Sequence, residues 1–165
     1  MSRNINIIVA VTNDNAIGRQ GDLVYHLRGD LKRFKELTIG HTVVMGRKTW
    51  QSLPNGALPG RRNIVISRDA SFKADGADVY NSLEEAFAAV AEDSEIFIIG
   101  GEQVYRQSLP YARRVYLTRI DSDAAGADTF FPEIDMEQWE EESSSPFLTD
   151  EREGVRYRFI CLSRK

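Results

Sequence analysis

Apolar residues recur along this chain with two different periods, and the switches between them predict the order of elements. Short runs rich in β-branched residues predict strands at about 5–12, 42–46, 62–67, 77–80, 95–99, 113–120, 137–144 and 155–163. Spacings of three and four predict helices at about 28–38, 48–53, 82–92 and 102–108. Strands and helices alternate over the first two-thirds, which favours an α/β sheet with crossover helices. The run from Ile96 to Ile99 lacks polar alternation, as expected of a central strand covered on both faces. In the last third, V-Y-L-T-R-I, Q-W-E-E-E-S and V-R-Y-R-F-I-C-L follow one another with only loops between them. The turn from Asp150 to Gly154 predicts that the final two pair as an antiparallel hairpin. The expected architecture is an α/β single domain over 1–165. Its mixed, mainly parallel central sheet is flanked by helices, with an antiparallel C-terminal hairpin at the edge. The stretch from Thr12 to His26 carries Gly18 and Gly21 and no periodicity, so it reads as a mobile functional loop.

One residue breaks the helical pattern. Leu27, Leu31, Phe34 and Thr38 form a stripe at roughly 100° per residue, and Asp30 projects inside it, between Leu37 and Phe34. Burial disfavours an ionised carboxylate, so an acid placed there gains a raised pKa and can move protons near neutral pH. The competing structural reading is a first-turn acid that complements the helix dipole.

Composition narrows the class. The length suits one domain with a substantial core. A formal net charge of −4 argues against a general binder of nucleic acid or anionic membrane. The single cysteine, Cys161, lies in an apolar strand pattern, which favours a buried inert thiol and a reducing compartment, hence the cytoplasm. Ile7 to Val11 is too short an apolar run for a signal sequence or membrane span. His26 and His41 have no ligand spacing with each other or with cysteine, so no metal is assigned.

Candidate chemistry gathers at three strand ends. Gly46, Arg47, Lys48 and Thr49 follow the first, Ser67 and Arg68 the second, Gly100 and Gly101 the third. Exposed amides, hydroxyls and cations suit phosphate, and glycine lets a pyrophosphate approach the backbone. Each turn alone is weak, but three at the C-terminal ends of strands sharing a sheet converge on the edge where α/β proteins bind ligands. There is no G-x-G-x-x-G, and Gly40 to Thr49 departs from a P-loop by one extra spacer residue, which disfavours phosphoryl transfer. Arg47 and Arg68 suit a bidentate grip on a 2′-phosphate, pointing to NADPH rather than NADH. By their pattern alone, Arg61 and Arg62 after the Pro-Gly turn read as exposed loop charges.

Taken in order, A-I-G (Ala16 to Gly18), G-D-L-K-R-F-K, V-M-G-R-K-T-W, L-P-G-R-R-N-I-V-I-S-R, I-I-G-G-E-Q-V-Y, L-T-R-I and D-T-F-F-P resemble the single-domain bacterial dihydrofolate reductases. The resemblance runs over essentially the whole chain. It implies NADPH-dependent reduction of 7,8-dihydrofolate to tetrahydrofolate, a step of one-carbon metabolism and an antifolate target, by a monomer. Asp30 matches the family's one active-site acid, which would favour protonation at N5 while hydride reaches C6. Thr118 would hold the carboxylate, and Tyr25 stands beside it in the catalytic set. Ile8, Val9, Leu31, Phe34, Leu53 and Ile99 would line the substrate pocket, and Arg61 would bind the substrate's glutamate α-carboxylate. Ala10, Ile17, Gly18, Gly46, Arg47, Lys48, Thr49, Ser67, Arg68, Gly100, Gly101, Gln103, Val104 and Tyr105 match cofactor positions, and the loop from Thr12 to His26 would be a lid.

This chain departs from the family pattern in places. Tyr25 stands where bacterial members usually carry tryptophan, Val24 and Arg28 stand where prolines are common, and Glu102 adds a negative charge beside the expected pyrophosphate. At 100° per residue Arg28 lies about 160° from Asp30, so it is expected to point outward. Two rival readings are a pyrimidine reductase of riboflavin synthesis and a catalytically silent nucleotide-binding module. The second leaves Asp30 and Arg61 without a role.

Overall fold

The computed structural model describes residues 4–19, 22–123 and 126–165. Its main sheet has the order β10 (Trp139–Ser144), β12 (Val155–Arg164), β8 (Arg114–Ile120), β1 (Ile5–Val11), β7 (Ile96–Gly100), β4 (Thr42–Gly46), β5 (Arg62–Ile66), β6 (Ala77–Tyr80). The strands β1, β4, β5, β6, β7 and β8 pair in parallel. The last strand, β12, runs antiparallel to β8 and to β10. The mixed sheet and its antiparallel edge match the expectation. β7 lies between β1 and β4, with Ile96, Phe97 and Ile98 buried, as its unbroken apolar run implies.

Helices cover both faces. α1 (Arg28–Thr38) and α2 (Arg47–Ser52) place Phe34, Leu37 and Trp50 against Ile8, Val43, Met45, Val65 and Phe97. α3 (Leu83–Ala88) and α4 (Glu102–Ser108) bury Leu83, Phe87, Val104 and Tyr105 in the larger cluster behind. Ser82 starts α3 because its hydroxyl accepts from the Glu85 amide at 3.1 Å. That helix ends at Ala88, short of the expected 92, because the Ala89 and Val90 amides turn back to nearby carbonyls and tighten the last turn.

One expectation needs correction. The Thr12 to His26 stretch is not structureless. It contains β2 (Ala16–Arg19), paired with β3 (Asp22–Leu23) and β9 (Thr129–Phe130) in a separate small sheet, while Gly21 falls outside the described residues. These strands show no sequence alternation because each is only two to four residues long and they pair apart from the main sheet, although Ile17 of β2 packs into the core cluster. The C-terminal hairpin forms as expected, β10 against β12, and its connection adds a short strand, β11 (Leu148–Asp150), which also pairs with β12. Cys161 is buried as expected, its thiol pushed up to about 11 chiefly by burial.

Candidate active site

The acid sits where helix α1 begins and where three strands lie side by side. Thr118 of β8 is in register with Ala10 of β1 on one side and Phe159 of β12 on the other. Its buried hydroxyl donates to Asp30 Oδ1 at 2.5 Å. The Asp30 carboxylate makes no other hydrogen bond among the described residues. Burial is the dominant influence and raises its pKa; the Thr118 hydrogen bond and the charge of Arg33 pull the other way. As expected from its angle around the helix, Arg28 is exposed. The cation that Asp30 feels is Arg33, one turn further on, whose guanidinium stacks 4.2 Å from the Phe159 ring.

The helix start is anchored from the C-terminal strands. Leu27 supplies no side-chain cap, but the Arg28 amide donates to Asp150 Oδ2 at 3.1 Å. Asp150 is held well below the usual carboxylate range, first by the Glu153 amide and also by that of Arg28. At Gly29 a Cβ would come 2.1 Å from the Tyr157 hydroxyl, so only glycine lets the helix approach β12 this closely. Position 30 is thereby fixed from both sides.

An apolar wall adjoins the acid's side of the sheet. Ile8 is buried there, and Phe34, Leu53 and Ile99 are partly buried in the same cluster. Val9 does not join it. Strand alternation turns its side chain into the cluster on the opposite face, so the expectation that it lines the pocket holds at most for its backbone. Leu31 stays 49% exposed and belongs to no core cluster, so the stripe that suggested its burial is only partly covered. Arg61 donates from Nε to the Pro59 carbonyl at 2.9 Å and from Nη1 to Thr38 Oγ1 at 3.1 Å. These contacts hold it at the far end of α1, its guanidinium 5.9 Å from the Phe34 ring. Tyr25 packs with Leu27, Ala10 and Tyr157, but its hydroxyl is bonded to Ser122 Oγ at 2.7 Å rather than to Asp30. Its placement in the catalytic set is corrected accordingly: the loop geometry directs the phenol toward the end of β8.

The three strand-end turns come together. A Cβ at Gly46 would lie 3.1 Å from Val104 Cγ2 and 3.9 Å from the Gly100 carbonyl oxygen. At Gly100 and Gly101 it would lie 3.2 and 3.4 Å from Thr49 Oγ1. The Gly100–Gly101 peptide is cis. Arg47, Lys48 and Arg68 are exposed on this rim, and Ser67 is buried beneath it. Glu102 pairs at 3.7 Å with Arg106. Gln103 is exposed, whereas Val104 and Tyr105 face inward; as the buried face of α4 they support the rim rather than line it. The Tyr105 hydroxyl donates to the Ile8 carbonyl at 2.8 Å, and burial raises its pKa far above the ordinary phenol range. Ile17 is buried in the core cluster, and a Cβ at Gly18 would come 2.6 Å from the Asp22 carbonyl oxygen. The small sheet therefore accounts for Gly18 without a ligand.

The family model described as dihydrofolate reductase matches residues 4–164. The chain belongs to the dihydrofolate reductase family. It is 44% identical to the dihydrofolate reductase of Neisseria gonorrhoeae, over 94% of this chain and 95% of that one. It is 41% identical to dihydrofolate reductase type 3 of Salmonella typhimurium, over 98% of each. Among solved structures, the dihydrofolate reductase from Enterococcus faecalis complexed with NADP(H) and RAB-propyl superposes with a TM-score of 0.90. That match has 34% identity and covers 100% of this chain and 99% of the other. As a member of the dihydrofolate reductase family the chain is an NADP-dependent oxidoreductase.

For a dihydrofolate reductase, the side-chain-free junction of Gly46, Gly100 and Gly101, flanked by Thr49 and cations, fits an anionic dinucleotide. The acid's supports Arg33, Asp150, Tyr157 and Phe159 were not singled out from the sequence. The signal was available for Phe159 and Tyr157, which lie in register with Thr118 and Ile120 once β8 and β12 are paired.

Proposed function

We propose that this enzyme reduces 7,8-dihydrofolate to 5,6,7,8-tetrahydrofolate with NADPH. The observation that carries the reading is one part-buried acid, Asp30, tied to Thr118 beside an apolar wall. The Thr118 hydroxyl occupies Oδ1, leaving Oδ2 to accept from the pterin's 2-amino group and neighbouring ring nitrogen. Burial raises the Asp30 pKa, and an acid that holds its proton more readily favours proton arrival at N5. A proton on N5 makes the C6–N5 imine more electrophilic. NADPH, when bound, supplies the hydride to C6.

Ile8, Phe34, Leu53 and Ile99 exclude water from the ring, and Leu31 adds an exposed apolar side chain that a bound substrate would cover. Arg61, with Nη2 uncommitted among the described residues, pairs with the substrate's α-carboxylate. Arg47, Lys48, Thr49, Ser67, Arg68, Gly46, Gly100 and Gly101 hold the cofactor's phosphates, while Ala10 at the end of β1 meets its nicotinamide end. The enzyme acts as a single-domain monomer in the cytoplasm, on small molecules rather than nucleic acid or membrane. Among the described residues no helix is long and apolar enough to cross a membrane.

Loss of absorbance in the NADPH band, followed with and without dihydrofolate, tests this reading. Loss is expected only when both are present; a steady trace with both would overturn it.

A further inference from the structure

We propose that Asp69 sets the cofactor preference of this enzyme, weakening its hold on a 2′-phosphorylated dinucleotide by sharing the Arg47 guanidinium. The inference rests on the reading that Arg47 and Arg68 flank the ribose 2′-phosphate.

Asp69 lies in the turn that leaves β5, two residues beyond Ser67. Its amide donates to Ser67 Oγ at 3.2 Å. One carboxylate oxygen, Oδ1, accepts from the Ser71 amide at 2.9 Å and from the Ser71 hydroxyl at 2.6 Å. That fixes the side chain and leaves Oδ2 directed at Arg47 Nη1, 3.4 Å away. The Arg47 guanidinium is in turn stacked 4.4 Å from the Phe72 ring. The bonds from Ser71, and then Arg47, hold the carboxyl below its usual range, so Asp69 is an anion at neutral pH.

A phosphate on Arg47 must therefore share that cation with a carboxylate that the turn does not allow to swing away. Two anions on one guanidinium repel each other. An unphosphorylated ribose incurs no such cost, and its 2′-hydroxyl can donate to Oδ2, as carboxylates do at the ribose edge of NAD sites. Asp69 acts as a repulsive element against the phosphorylated cofactor rather than as a contact made for it.

Asp69→Asn isolates the charge, because the amide oxygen still accepts both Ser71 bonds. Calorimetry without folate should show NADPH binding tightened about three- to fivefold, the upper scale of an exposed ion pair. NADH binding should stay within about twofold, and the gain should shrink at high salt. The same comparison with 2′,5′-ADP and 5′-AMP confines the effect to the ribose end. An unmoved NADPH-to-NADH ratio, or weaker NADPH binding in the variant, overturns the assignment. Failure of the unaltered enzyme to bind either dinucleotide would instead overturn the proposed function, and this inference with it.

Discussion

The two halves of the candidate site are built in opposite ways. The acid half is assembled in advance: Asp30 is held by a buried threonine, its helix is capped by Asp150, and Gly29 locks that helix against Tyr157. The phosphate half is a rim of exposed cations on turns, where Arg47 shares an exposed carboxylate and Lys48 and Arg68 reach into solvent. Proton transfer needs a group whose pKa is tuned by shelter, and shelter requires a rigid surround. Capturing a phosphate needs charge at the surface, where solvent lowers the strength of each pair but favours fast encounter. Changes in the first half should therefore act on rate and its pH dependence, and changes in the second on affinity and its salt dependence.

The sharpest way to break this contrast is Asp30→Asn. Turnover at neutral pH should fall by about 10²- to 10⁴-fold, the usual contribution of a positioned acid, while NADPH binding is unchanged. The residual rate should recover as pH falls and solvent supplies the proton. Steady-state rates across pH with a parallel NADPH titration check this, and an unaffected neutral rate would remove Asp30 from the chemistry.

Arg61→Ala probes the junction between the halves. Arg61 is half-buried, fixed by Thr38 and the Pro59 carbonyl, so its pairing with substrate is less screened than that of the rim cations. Losing it should weaken dihydrofolate by about 2 kcal/mol, roughly 30-fold, and leave NADPH untouched. Equal weakening of both ligands, measured by separate titrations, would contradict its assignment to the substrate side.

Stability gives a smaller contrast. Burial raises the Asp30 pKa, so its ionised form opposes folding at pH above that raised value, and the cost is absent below the unfolded value. Asp30→Asn should therefore raise the melting temperature of the ligand-free enzyme at neutral pH by a few degrees, about 1 kcal/mol, with the gap closing in acid. Scanning calorimetry at two pH values tests the sign. A melting point lowered at neutral pH would mean that the Thr118 bond outweighs burial.

Legibility in the sequence follows the same division. Unbroken or alternating apolar runs marked the main strands, because each must cover a sheet face. The acid was visible because it interrupts a stripe, and the phosphate turns because glycines and cations follow strands. Local pattern missed what depends on pairing between distant segments. β2, β3 and β9 are short and pair with one another apart from the main sheet, and β11 is a three-residue strand. The inward face of Tyr105, the opposite face taken by Val9 and the outward turn of the Tyr25 hydroxyl all depend on register or on tertiary partners. So does Asp150 as the cap of α1, since 122 residues of chain separate it from Arg28.

Arg33 tests how finely the acid half is tuned. Its charge lowers the pKa that burial raises, and its guanidinium is held over Phe159 rather than in direct contact with the carboxylate. Arg33→Met keeps much of the apolar stem and removes the charge. The pKa of Asp30 should then rise further, so the protonated form persists to higher pH. The decline of kcat/KM with increasing pH should accordingly shift upward, by less than about one pH unit because the charge acts through space and is partly screened. NADPH affinity and its salt dependence should not change, since the rim cations are untouched. A shift of the profile toward lower pH would reverse the sign assigned to Arg33. A change confined to cofactor affinity would show that the two halves are not independent.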